Sequence, residues 1–253
     1  MNNLIDPVPC NPEPDWQAVA KLPIHECQQS LQPLGLTPVL SVYPAYHKLG
    51  VPNALAECHS RSEVFERLLQ AARALPKGLR LVVLDAWRPF AVQQYLYDSL
   101  WDALTEYYPN TSKTELEHLT RQFISPPSSN RLAPSPHLTG GAVDVTLCDE
   151  DGRLLDMGTV FDEVTELSST CYYEQLDHLS SHHQHIRDNR RVLYNVMINA
   201  GFSNLPSEWW HYDYGDQLWA WHSGASNAIY GPAQLPTLDI LWRQQLGKLV
   251  KGL

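Results

Sequence analysis

The segment Ser135-Pro-His137-Leu-Thr-Gly-Gly-Ala-Val-Asp144 contains two good metal ligands at the entry to a short, strand-like stretch. His137 and Asp144 stand on either side of a glycine pair, which allows the chain to turn sharply between them. Imidazole and carboxylate groups are common ligands of divalent cations. The segment therefore predicts a metal site, and a third ligand has to come from another part of the chain.

The segment Glu208-Trp-Trp-His211 is the best source of that ligand, because it offers a carboxylate and an imidazole three positions apart. Two imidazoles and one carboxylate leave the fourth tetrahedral position open to water, which is typical of catalytic rather than structural zinc. We therefore predict one zinc ion per chain, bound by His137, Asp144 and His211, and Glu208 is then free to act as a base. Each residue alone has an ordinary alternative: His137 could be a hydrogen-bonded loop histidine, and Asp144 a cap or a salt-bridge partner.

The chain has 253 residues, of which 43% are hydrophobic, and carries a formal charge of −10. This length and composition predict one folded domain over residues 1–253. The negative charge argues against nucleic acid or an anionic membrane as a partner, because either would require clustered Lys and Arg. We find neither a signal peptide pattern nor a segment apolar enough to span a bilayer, so we expect a soluble, cytoplasmic protein.

The five cysteines are scattered along the chain without a Cys-x-x-Cys pair. They are Cys10, Cys27, Cys58, Cys148 and Cys171. This pattern favours free thiols in a reducing compartment over a disulfide framework or a cysteine-ligated metal. A bridge between two of them stays open.

Strands interrupted by helices, without steady βαβ alternation, predict an α+β fold with a small antiparallel sheet flanked by helices. Residues 1–35 are rich in proline and predict an arm that wraps the surface. The predicted strands cover residues 37–43, 79–84, 142–147, 202–205 and 209–214. The predicted helices cover residues 60–75, 91–107, 112–123 and 188–200, and Ser-x-x-Glu capping boxes open the first and the third. We expect loops over 125–136 and 168–185, and an aromatic tail after Leu218 that packs on the domain.

The combination Ser135-x-His137-x-x-Gly-x-Ala-x-Asp144 with Glu208-Trp-Trp-His211 resembles the motif of the zinc-dependent D-alanyl-D-alanine dipeptidases of the vancomycin-resistance type. These enzymes belong to the larger D-Ala-D-Ala peptidase and Hedgehog-like fold. The resemblance spans roughly residues 60–220. It also covers Asp85-Ala-Trp-Arg88-Pro89, Met157-Gly158, Phe161-Asp162, Asn189-Arg-Arg191 and Gly201-Phe202.

This resemblance implies hydrolysis of the peptide bond of D-Ala-D-Ala or a related cell-wall dipeptide, with a small dipeptide as the partner. It assigns the zinc ligands to His137, Asp144 and His211, the base to Glu208, a transition-state cation to Arg88, and the binding of the substrate ammonium to Ser135 and Asp162. Two of these residues have ordinary alternatives in the sequence. Arg88 could simply form an ion pair with Asp85, and Asp162 could be a helix cap or a turn residue.

Two features depart from the shorter members of that family. The amino-terminal arm could cover part of the cleft or form dimer contacts in a homo-oligomer. The segment 168–185 looks longer, and we interpret its histidines as part of a solvated loop rather than as a second metal site. These histidines are His178, His182, His183 and His185.

Two other functions compete with a dipeptidase. The first is a carboxypeptidase that trims longer peptidoglycan stems, for which a secretion signal would be expected. The second is a zinc-stabilised binding module without activity. Glu208 and Arg88 argue against a binding module, because a structural zinc site needs neither a base nor a cation for the transition state.

Overall fold

The computed structural model describes residues 3–251, apart from the side chains at 122 and 249–251. Its strands are β1 (Leu31–Pro33), β2 (Ser41–Val42), β3 (His59–Arg61), β4 (Leu79–Asp85), β5 (Ala142–Asp149), β6 (Ser203–Asn204) and β7 (His211–Asp213). Its helices are α1 (Trp16–Val19), α2 (Ala45–Lys48), α3 (Ser62–Ala74), α4 (Phe90–Tyr107), α5 (Lys113–Phe123), α6 (Ser181–Asn199), α7 (Gln217–Ser223) and α8 (Leu238–Lys251).

Five strands form the central sheet in the order β2-β4-β5-β7-β6, and β1 pairs with β3 separately. The pairs β4-β5, β5-β7 and β6-β7 are antiparallel. The predicted α+β class with a small sheet is confirmed. The expectation of a purely antiparallel sheet needs one correction, because β2 runs parallel to β4. The chain passes between these two strands through α2, β3 and α3, and a crossover of that length allows parallel pairing.

Both faces of the sheet are covered by apolar packing. Val143 and Val145 of β5 belong to the largest apolar cluster, which also contains side chains of α3 and α6. Side chains alternate between the two faces of a sheet along a strand, so the residue between Val143 and Val145 points to the opposite face. On that opposite face, Val82 and Leu84 of β4 pack with Ala45 of α2. Asp144 therefore lies on this second face, which carries the site described below.

Two predicted capping boxes had different outcomes. In the second box, Ser112 accepts a hydrogen bond from the backbone N–H of Glu115. The contact expected of its serine is therefore confirmed. The first box is wrong. Ser60 lies in β3, which pairs with β1, and Gln29 of the amino-terminal arm accepts the hydrogen bond from the N–H of Glu63 instead.

The loop predicted over 168–185 is partly wrong, because α6 begins at Ser181 rather than near residue 188. Ser180 caps the helix by accepting a hydrogen bond from the N–H of His183. The first turns of α6 are polar because they face solvent, and Ile186 is the first buried residue of the helix. Apolar residues at helical spacing therefore do not mark the amino-terminal end of α6.

The expectation of free thiols is wrong for two of the five cysteines, and the bridge that the sequence left open is formed. Cys10 and Cys171 form a disulfide with Cα atoms 5.3 Å apart, and the other three cysteines are unpaired. The pairing follows from the docking of the arm, since the N–H of Val8 donates to Glu174 nearby. The two cysteines stand 161 residues apart, a separation that gives no local signal.

The aromatic tail packs on the domain only in its first part. Trp219 of α7 lies 5.0 Å from the Tyr214 ring, measured between ring centroids. Trp242 of α8 is 56% exposed, so the prediction is wrong for that residue. Within residues 3–251, we find no helix with the length and hydropathy needed to cross a bilayer. The predicted domain extent also includes residues 1, 2, 252 and 253, which lie outside the described residues, and the single-domain organisation stays a prediction.

Arg190 of α6 holds the irregular segment on both sides of Asp162. Its guanidinium donates to the carbonyls of Met157, Leu167 and Ser169 at 2.8, 2.8 and 2.6 Å. The residue is 2% exposed, and burial lowers its pKa to about 10, so it remains cationic at neutral pH. One buried cation thus fixes both ends of a long irregular segment.

Arg190→Met should lower the free energy of unfolding by about 3 kcal/mol or more, because buried carbonyl groups would lose charged hydrogen-bond donors. Urea unfolding followed by circular dichroism measures this change. Arg187→Met on the same helix is the control and should change the free energy by less than about 0.5 kcal/mol. Equal losses in the two variants would contradict the role given to Arg190.

Candidate active site

The register of the sheet places two predicted ligands side by side. Asp144 of β5 is directly opposite His211 of β7. On the other side of β5, the pairing with β4 shifts between Val83 and Asp85, so that Asp85 is opposite Asp144. Such a bulge redirects a side chain that regular alternation would send to the other face. Three adjacent strands therefore present a row of polar groups on the same face.

His137 reaches this row from a 3-10 turn, Pro136–Thr139, that precedes β5. Gly140 ends the turn with φ of 74°, a conformation that favours glycine. At Gly141, an added Cβ would lie 2.5 Å from the backbone oxygen of Tyr214. The glycine pair is therefore required by backbone geometry and by a close approach. The carbonyl of His137 accepts a hydrogen bond from the N–H of Arg88, which fastens the turn to the end of β4.

The nitrogen and oxygen atoms of His137, Asp144 and His211 form a small triangle. The distance from His137 Nε2 to His211 Nδ1 is 3.2 Å, and from His211 Nδ1 to Asp144 Oδ1 it is 3.1 Å. The third side, from His137 Nε2 to Asp144 Oδ1, measures 3.4 Å. Ligands about 2.0–2.1 Å from a tetrahedral zinc ion would stand about 3.3 Å apart. The donor set and its spacing therefore fit one metal ion.

The other ring nitrogens of both histidines have acceptors that leave the facing nitrogens free to bind a metal. His137 Nδ1 lies 2.8 Å from the carbonyl oxygen of Ala86. His211 Nε2 lies 3.0 Å from Asp213 Oδ1. Hydrogen bonds of this kind fix the tautomer and the ring orientation of metal-binding histidines. The sequence analysis missed Asp213, although His-x-Asp on one strand places both side chains on the same face.

The site carries more negative than positive groups. Burial would raise the pKa of Asp144, but His137 and His211 outweigh this effect and hold it well below its usual range. Burial would lower the pKa of His211, but Asp213 and Asp144 raise it well above its ordinary value. Burial and the Asp213 carboxylate raise the pKa of Asp216 well above its usual range. The cluster would therefore be stabilised by a bound cation.

Glu208 stands beside this triangle without belonging to it. Its Oε2 lies 3.8 Å from His211 Nδ1. The turn that precedes β7 holds the residue in this position. Burial, together with the Asp144 and Asp162 carboxylates, raises the pKa of Glu208 to about 8, although His211 and Arg88 oppose the rise. The carboxylate is partly exposed to the cleft, as a group that exchanges protons with a ligand must be.

Arg88 binds four groups around the same cleft and is 7% exposed. Its Nε donates to Asp85 at 2.7 Å, so the ion pair that the sequence suggested is formed. Its Nη2 donates to Asp144 Oδ2 at 3.1 Å and to the Tyr46 hydroxyl at 3.4 Å. Its Nη1 donates to Gln93 Oε1 at 2.7 Å. Gln93 and Tyr46 were missed in the sequence, because neither stands near a recognisable motif.

Asp162 lines the same cleft opposite Arg88 and has φ of 65°, which is unusual for a residue other than glycine. Its Oδ2 accepts a hydrogen bond from the Tyr46 hydroxyl at 3.1 Å. Burial raises the pKa of Asp162 to about 6, and Arg88 opposes the rise. The Asp162 carboxyl group therefore changes its charge at a pH close to neutral.

The structure brings six of the seven predicted site residues to one cleft. They are Arg88, His137, Asp144, Asp162, Glu208 and His211. Ser135 instead lines a neighbouring cavity, where its hydroxyl accepts a hydrogen bond from the N–H of Ser128 at 2.8 Å. It fastens the loop over 125–136, and its predicted contact with substrate stays a prediction.

Asp213→Asn should weaken zinc binding by about ten- to a hundredfold, because His211 loses the carboxylate that orients its ring. Competition with a chromophoric chelator measures the zinc Kd, and circular dichroism verifies the fold. Asp151→Asn changes an exposed carboxylate of the same type and should leave the Kd unchanged. The role of Asp213 would be contradicted if both variants bound zinc as tightly as the unchanged protein.

Comparisons with known proteins identify the family of the chain. The family model described as D-Ala-D-Ala dipeptidase, of the M15 peptidases, matches residues 51–228. The chain is 33% identical to a D-alanyl-D-alanine dipeptidase of Synechocystis over 216 residues, which cover 79% of this chain and 87% of the relative. It is 32% identical to a D-alanyl-D-alanine dipeptidase of Escherichia coli, over 54% of this chain and 55% of the relative.

Among solved structures, the chain is similar to the vancomycin-resistance D,D-dipeptidase VanXYg in complex with a D-Ala-D-Ala phosphinate analog. That alignment has a TM-score of 0.35 and 16% identity, and it covers 82% of this chain and 69% of the other. The extent of the family match and the similarity to the Synechocystis enzyme decide the assignment. The chain belongs to the D-Ala-D-Ala dipeptidase family of the M15 peptidases.

Proposed function

We propose that this protein is a zinc dipeptidase that hydrolyses the peptide bond of D-Ala-D-Ala. The observation that carries the proposal is the triangle of His137, Asp144 and His211 with the Glu208 carboxylate beside it. Family membership supports the same substrate class. A binding module would not need an additional carboxylate and a buried guanidinium in the same cleft.

Zinc is the metal that two imidazoles and one carboxylate suit best, because it accepts nitrogen and oxygen ligands in tetrahedral geometry. When bound, zinc lowers the pKa of water to about 7 and polarises a carbonyl group. His137 and His211 present one nitrogen each, with their protons held on the opposite ring nitrogens by Ala86 and Asp213. One zinc ion per chain follows from the single triangle found among the described residues.

Glu208 is the proposed general base. Its carboxylate accepts a proton from the attacking water and then gives that proton to the leaving amine of the second residue. The partly buried position keeps its pKa above the usual carboxylate range, which favours this two-way transfer. The residue is positioned for this role by the same short turn that delivers His211.

Arg88 is the proposed cation for the oxygen that becomes negative during attack. Its guanidinium is already oriented by Asp85, Gln93 and Asp144, so it need not be ordered when the charge develops. A guanidinium also remains charged in a buried environment where a lysine would lose its proton more readily. Arg88 thus contributes electrostatic stabilisation without moving.

Asp162 is the proposed partner of the substrate ammonium. It lies in the cleft together with Glu208, and Tyr46 holds one of its oxygens. A substrate that lacks the free ammonium would leave this buried carboxylate without a cation, which costs binding free energy. Ser135 faces the neighbouring cavity, so the proposal assigns the ammonium to Asp162 alone.

A cytoplasmic location and a homo-oligomer remain predictions from the sequence. The prediction of a cytoplasmic location relied on the lack of a signal-peptide pattern and on cysteines that occur singly, and the disulfide between Cys10 and Cys171 removes the second support. Disulfides persist mainly in oxidising compartments. The substrate itself is small, and the site needs no second chain to complete its ligand set.

Glu208→Ala should lower kcat for D-Ala-D-Ala by about a hundred- to ten-thousandfold, because general base catalysis is lost, while zinc binding is retained. The release of D-alanine is measured for a panel of D,D-, L,D- and L,L-dipeptides and an acetylated dipeptide, with and without a chelator. Glu150→Ala removes an exposed carboxylate and serves as control. Release at the parental rate by a zinc-loaded Glu208→Ala protein would rule out this mechanism.

The kcat/KM for D-Ala-D-Ala should fall as the pH drops through about 8, where the base Glu208 takes up a proton. It should fall more steeply below about 6, where Asp162 is also protonated and loses the charge that attracts the ammonium. Asp162→Asn should lower kcat/KM by roughly ten- to a hundredfold, the value of one charged hydrogen bond, and should remove only the steeper part below pH 6. Rate profiles between pH 5 and 9 test the assignment, and an unchanged steep part in Asp162→Asn would assign it to a different group.

A further inference from the structure

Residues 13–16 of the amino-terminal arm run along the mouth of the catalytic cleft. Trp16 lines the cleft together with Arg88 and Glu208. Three residues earlier, Glu13 lines an adjoining acidic pocket that shares Asp162 and Glu208 with the cleft. The arm therefore passes from the side of Asp162 to the cleft within one short segment.

At its other end, Trp16, the segment extends past the cleft. Trp16 also lines the neighbouring cavity, which shares Ser125 and Pro136 with the cleft. The three peptide steps from Glu13 to Trp16 span at most about 11 Å, and an extended dipeptide spans about 7 Å. The segment is thus long enough to cover a bound dipeptide from end to end.

This segment is positioned by a contact near the base and by a helix cap. Glu13 lies beside Ser207, the residue before Glu208; burial raises the pKa of the Glu13 carboxyl, and the side chain and backbone of Ser207 oppose the rise. Asp15 caps α1 by accepting hydrogen bonds from the backbone N–H groups of Gln17 and Ala18. The first contact places the segment against the turn that carries the base, and the cap fixes the backbone at the other end of the segment.

Two further attachments secure the ends of the arm. Before the segment, Cys10 is bonded to Cys171. After it, Val19 packs with Leu205 and Leu218. The arm is therefore held on both sides of the mouth, and on one side the attachment is covalent.

We propose that residues 13–16 are a strap that restricts the cleft to substrates with a free amino terminus. This inference rests on the proposed function, which places the substrate ammonium at Asp162. A residue or acyl group before the dipeptide would have to pass Asp162 toward the wall that Glu13 forms. The strap blocks that path sterically, and a neutral acyl group placed against Glu13 would bury its carboxylate without a cation, which costs free energy. The Cys10–Cys171 bond keeps the strap in place.

Two kinds of variant separate the strap from the bond that holds it. Cys10→Ser releases the covalent attachment, and Cys27→Ser is the matched control, because Cys27 is an exposed, unpaired cysteine of the same arm. The double variant Glu13→Ala/Trp16→Ala removes the strap side chains and leaves the disulfide intact. It keeps the proposal testable if Cys10→Ser fails to fold.

The measurement is the ratio of kcat/KM for N-acetyl-D-Ala-D-Ala to kcat/KM for D-Ala-D-Ala. The ratio should rise at least tenfold in Cys10→Ser and in the double variant, and it should stay at the parental value in Cys27→Ser. Dithiothreitol should raise the ratio of the unchanged protein, since it reduces the bond to two thiols and closes to its own cyclic disulfide. It should not change the ratio of Cys10→Ser further.

An unchanged ratio in both Cys10→Ser and the double variant would overturn the inference, because the strap would then only stabilise the fold. Failure of the unchanged protein to cleave D-Ala-D-Ala would instead refute the proposed function. In that case, hydrogen exchange of a peptide covering residues 11–22 still tests the attachment. Exchange should become faster in Cys10→Ser and not in Cys27→Ser, and equal exchange would refute a strap held by the disulfide.

Discussion

Arg88 and Asp144 form a buried ion pair, with side chains 8% and 2% exposed, and the geometry of the site depends on it. A charge removed from water has to be matched by an opposite charge and by hydrogen bonds, and loss of one partner typically costs about 3–5 kcal/mol. Arg88 satisfies Asp144 Oδ2, which leaves Oδ1 directed at the two imidazoles. The same guanidinium is held by Asp85 and Gln93. One contact therefore aligns the carboxylate proposed to bind the metal, the guanidinium proposed to stabilise the transition state, and the end of β4.

Much of this site could be predicted because its motifs are local. The spacing of His137 and Asp144 around a glycine pair reflects a turn followed by a strand, and Glu208 and His211 share one short turn. Asp213, Gln93 and Tyr46 could not be found in the same way. They act through hydrogen bonds to other site residues, and such contacts depend on register and packing rather than on a sequence motif.

The secondary structure also contains parts that local sequence patterns predict and parts that they do not. Apolar periodicity predicted α3 and α4, and a capping box predicted α5. Apolar periodicity failed for the first turns of α6, where a serine cap and solvent-facing histidines replace an apolar stripe. The disulfide and the displaced capping box at Ser60 both depend on where the arm docks. Long-range docking leaves no periodic signal, so the arm could be recognised by its prolines but not placed.

Residues 4–25 of the arm take most of their partners from the last third of the chain, whereas residues 26–35 contact β3 and the start of α3. Val8 binds Glu174, Asp6 binds Asn195, and Ile24 pairs with Ala228. Ribosomes make a chain from its amino terminus, so the arm is synthesised first and its docking surface last. Until that surface exists, the proline-rich segment favours extended conformations. Docking of residues 4–25 is then one of the final events of folding, and a carboxy-terminal truncation before Leu218 would remove part of the surface on which Val19 packs.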